Sequence, residues 1–188
     1  MRNFVLGILG TLAVLAFGGL GLLLLGFFPS RANVAPPRIE MRIANTALDA
    51  SIDRHAPHLN SPVPPTDYNL IDGMKLYTMN CALCHGGLDL KPSPLAKNFY
   101  PPPPQLILRG VDDPEWQVFF LTRTGIRYTA MPAWENVLTE PDMWKIAAFL
   151  TRTRKLPPAA KDFWQKSTGV APPVGEGRGG DDTPGSSR

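Results

Sequence analysis

The 188-residue sequence has little of several residue types, and each shortage excludes a class of protein. Two cysteines cannot build a scaffold held by several disulfides, and three histidines leave little room for a multi-metal site. A formal net charge of +3 is too small for an electrostatic nucleic-acid binder. The chain also lacks an H-E-x-x-H metalloprotease motif and a Gly-rich phosphate-binding loop, which excludes those enzyme classes.

The composition also indicates that only part of the chain forms a packed core. Charged residues make up 19%, below the usual quarter or so, while the chain holds 21 prolines and 17 glycines. This length suits one small folded domain with appended segments. We therefore expect membrane or low-complexity segments beside that domain.

An uncharged apolar run of 25 residues extends from Phe4 to Phe28, behind a short segment at 1–3. A bilayer-spanning helix needs about 20 apolar residues, whereas the apolar region of a cleaved signal peptide has about 7–15. The length therefore predicts a retained transmembrane signal anchor at 4–28. The alternative is cleavage at Ser30-Arg31-Ala32, whose small residues loosely fit a peptidase site.

Residues 29–66 contain seven prolines and are predicted to form a linker. Within them Ile39, Met41 and Ile43 alternate with charged residues, a pattern typical of a short strand. Because the sequence offers this strand no partner, we expect the partner strand on a neighbouring subunit.

The segment 67–155 is expected to be the folded domain, because it carries three helical patterns bounded by start and stop signals. Proline-rich and polar loops at 86–112 and 126–138 separate them. The predicted helices are 68–80 after an N-cap at Asp67, 114–125 after Asp113, and a third from the capping-box-like Thr139–Asp142 to about Arg154.

Two short segments follow the domain. Residues 156–166 form an extension in which Phe163 and Trp164 either pack back on the domain or contact a partner. Residues 167–188 are mostly small, polar or charged, so they cannot bury enough surface to offset the ordering entropy. We predict a disordered tail there.

The most informative motif is the pentapeptide Cys81-Ala82-Leu83-Cys84-His85. C-x-x-C-H is the attachment signature of c-type haem. At the end of a helix, thiols three residues apart reach the two vinyl groups on one haem edge, and the adjacent histidine lies under the iron. The motif predicts one covalent haem c bound by Cys81 and Cys84, with His85 as an iron ligand.

Three other uses of these residues are open. A thioredoxin-like redox pair would need a βαβ context, whereas the surroundings are predicted to be helical. A structural disulfide between Cys81 and Cys84 would not need His85. A zinc site could combine these two thiols with His55 and His58, but it would leave His85 without a role.

A sixth iron ligand is needed unless the site is catalytic or binds a gas. Methionine is usual in electron-transfer cytochromes, because thioether sulfur raises the reduction potential. Met131 is the only methionine in a loop of the predicted domain, and Pro132 follows it. We therefore expect His85 and Met131 to ligate the iron, with His55 or His58 as the alternative sixth ligand.

Together these residues resemble class I c-type cytochromes, and more closely the membrane-anchored bacterial monohaem kind. The resemblance covers about 67–155 and is carried by Gly73, Tyr77, Cys81–Gly86, Met131-Pro132-Ala133-Trp134, Trp144 and Leu150. It implies a mainly α fold with three main helices around one covalent haem. It further implies a crossing of the first and last helices at Gly73 and Tyr77, and a proline carbonyl that accepts the Nδ1–H of the haem histidine.

The resemblance implies electron transfer and not catalysis. The protein would be a haem subunit of, or a tethered carrier for, a respiratory or photosynthetic complex. It would span the bacterial inner membrane once, with its haem domain in the periplasm and redox proteins as partners. A cytochrome subunit of a periplasmic dehydrogenase, and a five-coordinate haem enzyme or gas sensor, are the alternatives.

Overall fold

The computed structural model describes residues 1–27 and 29–174, and it divides them into two compact units. The first unit is Met1–Arg31, and the second begins at Ala32. Every regular element among the described residues is helical, which confirms the mainly α fold.

The first unit consists of helix α1, Arg2–Leu24. Its mean hydropathy reaches 2.2, and its length allows it to cross a membrane, a property that a signal sequence shares. Phe28, the predicted end of the apolar run, lies outside the described residues.

The predicted strand at 39–43 is wrong, because these residues open an 18-residue helix, α2, Arg38–His55. Pro37 precedes the helix as its N-cap residue. The inward-facing positions Met41, Leu48, Ile52 and Ala56 are spaced seven, four and four residues apart, which is the period of a helix face. Ile52 and Ala56 are buried, so the region predicted to be a linker contains an ordered helix of the second unit.

The first predicted helix of the domain is confirmed as α3, Asp67–Asn80. Its N-cap is Thr66 and not Asp67, because the Thr66 hydroxyl accepts a hydrogen bond from the Asn69 amide. A single helical turn, α4, follows at Ala82–His85. The chain thus folds into a new turn at the cysteine motif.

The following proline-rich segment is mostly irregular and is interrupted by two short helical turns. They are a 3₁₀ turn at Ala96–Asn98 and α5 at Leu106–Arg109. The second predicted helix is confirmed as α6, Glu115–Thr124, whose N-cap residue is Pro114 and not Asp113.

The third predicted helix is confirmed as α7, Glu140–Leu150, which is one turn shorter than expected. Thr139 is its N-cap and accepts from the Asp142 amide. The extension contains a further helix, α8, Pro158–Thr168, whose Trp164 is fully buried in the core. The predicted disorder of 167–188 begins too early, since α8 reaches Thr168, and 175–188 lie outside the described residues.

The core forms where α3 and α6 pack on α7 and α8 packs on α3. A Cβ atom added at Gly73 would lie 2.2 Å from the Lys145 carbonyl oxygen, so only glycine allows α3 and α7 this approach. One turn along α3, the Tyr77 ring meets Phe149 edge-on at 5.8 Å. The expected crossing at Gly73 and Tyr77 is therefore confirmed. It fixes the end of α3, where the cysteine motif begins.

Candidate functional site

Cys81 closes helix α3 and precedes the turn α4, which carries Cys84 and His85. The structure thus brings these three predicted residues together in one turn. Both cysteines, which lie among the described residues, are free thiols, so no disulfide joins them. Cys81 is buried and Cys84 is half-buried.

The turn ends without a following helix, so its last carbonyl groups need partners from elsewhere. Four consecutive carbonyl oxygens accept hydrogen bonds from three side chains. The donors are Ser93 Oγ to Leu83 O, Gln105 Nε2 to Cys84 O, and Tyr77 Oη to both His85 O and Gly86 O. The shape of the motif is therefore set by residues up to 21 positions away.

Tyr77 can keep these two bonds over a wide pH range. Burial and, to a lesser extent, the nearby Cys81 raise the pKa of its phenol far above the ordinary value. The hydroxyl therefore stays protonated and remains a donor at physiological pH.

The His85 ring is held by the backbone of the proline-rich segment. Its Nδ1–H donates to the Pro104 carbonyl oxygen at 2.8 Å, so the expected proline carbonyl is that of Pro104. Burial lowers the pKa of His85, and the bond to Pro104 partly opposes this shift. A neutral imidazole with Nδ1–H engaged leaves the Nε2 lone pair for a metal.

The electrostatics at Cys81 oppose a thiol–disulfide exchange role. Burial, followed by the neighbouring Cys84, raises the pKa of the Cys81 thiol to about 12. A redox-active cysteine needs a lowered pKa, since the thiolate is the nucleophile. A buried neutral thiol fits a structural or covalently attached cysteine better.

Met131 lies in the loop after α6, and hydrogen bonds within the loop fix its backbone. The Met131 amide donates to Thr129 Oγ1 at 3.1 Å, and its carbonyl oxygen accepts from the Ile126 amide at 3.1 Å. The loop also lies against Gly125, where φ is +66° and an added Cβ would be 2.6 Å from the Ala133 nitrogen. Met131 is therefore placed by α6 and its loop, independently of the cysteine turn.

The two remaining histidines have other contacts. The His58 ring stacks on Trp116 with centroids 4.1 Å apart, and His55 Nδ1 donates to the Ser51 carbonyl oxygen at 2.9 Å. Within the described residues no group of three or more His, Cys, Asp or Glu side chains could hold a metal ion. The zinc alternative therefore finds no support.

Sequence reasoning missed Ser93 and Gln105, which hold the turn. A serine and a glutamine in a proline-rich stretch carry no motif, so no local signal would have found them. It also missed that Trp134, three residues after Met131, has a buried indole Nε1–H without a hydrogen-bond partner among the described residues. The buried indole Nε1–H groups of Trp144 and Trp164 also have no hydrogen-bond partner among the described residues.

The residues at this site fit a covalently bound haem. They supply two thiols at the C-x-x-C spacing and an imidazole with a free Nε2, whereas Met131 lies in a separate loop. Residues 69–150 match the family model described as cytochrome c oxidase, cbb3-type, subunit III. This chain carries a c-type cytochrome domain. The domain implies a covalent haem c and electron transfer.

Two further comparisons add little to this assignment. A search of curated proteins found no match. A solved structure, the reducing HAO-like protein complex of Kuenenia stuttgartiensis, is similar with 21% sequence identity and a TM-score of 0.41. The similarity covers 50% of this chain and 48% of that chain, so the chain spans about half the length of this neighbour.

Proposed function

We propose that the protein is a membrane-anchored monohaem c-type cytochrome that transfers electrons without catalysing a substrate reaction. Cys81 and Cys84 would form the thioether bonds to the haem, and His85 and Met131 would bind its iron. The observation that carries this proposal is the C-x-x-C-H turn, in which the His85 Nδ1–H is bound by Pro104 and Nε2 is left for iron. When bound, the haem supplies a one-electron ferric–ferrous couple.

The surrounding residues would tune this couple. The bond from His85 to Pro104 makes the imidazole a stronger electron donor, whereas the Met131 thioether favours the reduced state. Tyr77, which bonds to the carbonyl oxygens of His85 and Gly86, is fully buried, so water does not compete for these bonds. A second ligand in a fixed loop would limit rearrangement between the two oxidation states.

We further propose that the protein serves a respiratory or photosynthetic complex, as a haem subunit or tethered carrier. The matched family is named for a subunit of a cbb3-type oxidase, which supports a subunit role. Helix α1 would anchor the chain in the bacterial inner membrane, with its N-terminus cytoplasmic and the haem domain periplasmic. Resistance to carbonate extraction and protease accessibility in spheroplasts would test the anchor and its orientation.

Several basic side chains of the domain already form ion pairs and are therefore less suited to a partner surface. Arg123 forms an ion pair with Glu135, Lys145 with Asp72, and Arg152 with Glu115. Arg109 and Arg127 form none among the described residues and remain candidates to steer an acidic redox partner.

An absorption spectrum of the detergent-extracted protein tests the proposal. A c-type pyridine haemochrome and a ferric sulfur-to-iron charge-transfer band are expected, and the band should vanish in Met131→Ala. Met79→Ala is the matched control, because Met79 is 71% exposed on α3. Loss of the band in the control, or its retention in Met131→Ala, would assign the sixth ligand elsewhere. Ready CO binding by the ferrous wild-type protein would favour an open-site haem protein.

A further inference from the structure

Gln105 lies at the point where the proline-rich segment meets the cysteine turn. Its Nε2 donates to Cys84 O at 3.2 Å and to Pro103 O at 3.1 Å. Its Oε1 accepts from the Ser93 amide at 2.6 Å. One side chain therefore connects the turn that carries His85 to the residue preceding Pro104.

The position of Gln105 itself is fixed on both sides. It is the N-cap residue of α5, and its carbonyl oxygen accepts from the Arg109 amide at 3.0 Å. Helix α5 is anchored by Ile107, which is completely buried. On the other side, an added Cβ at Gly86 would lie 3.0 Å from Gln105 Oε1, so the side chain packs closely over the residue after His85.

These contacts bear on the bond between His85 and Pro104. That bond needs the imidazole, on one segment, and a carbonyl oxygen 19 positions later to stay 2.8 Å apart. Among the described residues no backbone–backbone hydrogen bond links the two segments, whereas Gln105 bonds to Cys84 on one side and to Pro103 on the other. The amide group thus acts as a spacer that sets the distance between the ring and the carbonyl.

We propose that Gln105 is a positioning residue for the proximal histidine: it holds the Pro104 carbonyl against His85 Nδ1–H and thereby helps to set the reduction potential of the haem. The inference rests on the proposed function, because it requires His85 to ligate the iron. Gln105 would act on the iron only through His85. A shorter, fixed bond to Pro104 strengthens electron donation by the imidazole and stabilises the ferric state.

The test uses the full-length ferric protein in detergent and the variant Gln105→Met, which keeps the side-chain length but removes the amide. Two quantities are measured: the rate at which His85 Nδ1–H exchanges with solvent, by NMR, and the midpoint potential. Exchange should be about tenfold faster, as expected for loss of hydrogen bonding of ordinary strength. The potential should shift to a more positive value.

Two controls separate positioning from general effects. Gln165→Met makes the same chemical change at an exposed position of α8 and should alter neither quantity. Leu156→Ala removes a buried side chain that takes no part in these hydrogen bonds, so it reports the effect of lower stability alone. Unchanged exchange and potential in Gln105→Met, or an equal change in Leu156→Ala, would overturn the proposal.

A second variant decides the matter if Gln105→Met does not mature. Gln105→Glu keeps the acceptor for the Ser93 amide but loses both donated bonds. Faster exchange of His85 Nδ1–H in this variant supports the proposal, and wild-type exchange overturns it. Absence of haem c from the wild-type protein is a different result, because it refutes the proposed function itself.

Discussion

Replacement of Gly73 by alanine tests the geometry on which the site is built. Gly73 lies where α3 crosses α7, and an added Cβ would meet the Lys145 carbonyl oxygen at 2.2 Å and its carbonyl carbon at 2.8 Å. It would also lie 3.0 Å from Phe149 Cβ. Two of these three atoms belong to the backbone of α7, so no side-chain rotation can relieve the contact.

Two opposing effects determine the change in stability. Alanine in place of glycine inside a helix stabilises it by about 1 kcal/mol. Overpacking of a tight core costs about 1–3 kcal/mol, and a clash with backbone belongs at the upper end of that range. We therefore expect Gly73→Ala to lower the free energy of unfolding by about 2 kcal/mol.

Guanidinium unfolding of the full-length protein, followed by tryptophan fluorescence, measures this change, because Trp144 and Trp164 are buried in the same core. Thr78→Ala is the control for helix propensity, since Thr78 is exposed on α3. It should change stability far less. A Gly73→Ala protein as stable as the wild type, or more stable, would refute the close crossing of α3 and α7.

Two further predictions concern single side chains. Tyr77→Phe leaves the His85 and Gly86 carbonyl oxygens without their donor. We expect the free energy of unfolding, measured by thermal unfolding, to fall by about 1–3 kcal/mol. Asp142 should stabilise the fold only when its carboxyl is ionised. The hydrogen bond from the Thr139 hydroxyl and, to a lesser extent, the nearby Lys145 lower the pKa of this carboxyl below the ordinary 3.8. That contribution is present at neutral pH and is lost as the pH falls through the folded pKa, so the stability difference between wild type and Asp142→Asn should shrink below about pH 4.

Each of these predictions has a matched control. Tyr68→Phe removes an equivalent hydroxyl from a residue that is 74% exposed on the same helix, and it should have almost no effect. An equal loss in both tyrosine variants would contradict the role of the two carbonyl bonds. For the acid, Asp162→Asn on α8 provides the comparison at an exposed site. A stability difference for Asp142→Asn that is the same at pH 3 and pH 7 would contradict the assignment.

The main helices of the domain could be predicted because their signals are local. A threonine, aspartate or proline at the start and an apolar stripe at helical spacing located α3, α6 and α7. The N-cap assignments to Asp67 and Asp113 were each wrong by one residue. Thr66 and Pro114 occupy those positions, and only the backbone geometry distinguishes such neighbours.

Helix α2 could not be predicted from a short segment, because five residues fit the period of a strand as well as that of a helix. Alternation at Ile39, Met41 and Ile43 fits a strand over five positions, but the spacing of Met41, Leu48 and Ile52 over the longer segment fits a helix. Ile39 and Ile43 are in fact 63% and 64% exposed, so their alternation does not mark a buried face. Helix α8 carried comparable signals, with a proline at its start and Gly169 in a left-handed conformation at its end.

The residues of the candidate site also differ in whether a local sequence pattern identifies them. The pentapeptide could be identified from sequence because its spacing is the chemical requirement itself, and Met131 was selected as a loop methionine followed by proline. The choice of Pro104 among several prolines depends on the path of the loop in three dimensions. The same is true of Ser93 and Gln105, because nothing in their immediate neighbours distinguishes them.

The four supported carbonyls of the cysteine turn have a consequence for protein engineering. Their donors come from α3 and from two places in the proline-rich segment. The pentapeptide alone would therefore not keep this conformation in another protein. Grafted onto the end of another helix, it would bring the thiols and the imidazole but not the scaffold that orients them. The smallest segment that could be transferred with these donors runs from Thr66, the N-cap residue of α3, to Arg109, the last residue of α5. It would also need α7, on which α3 packs.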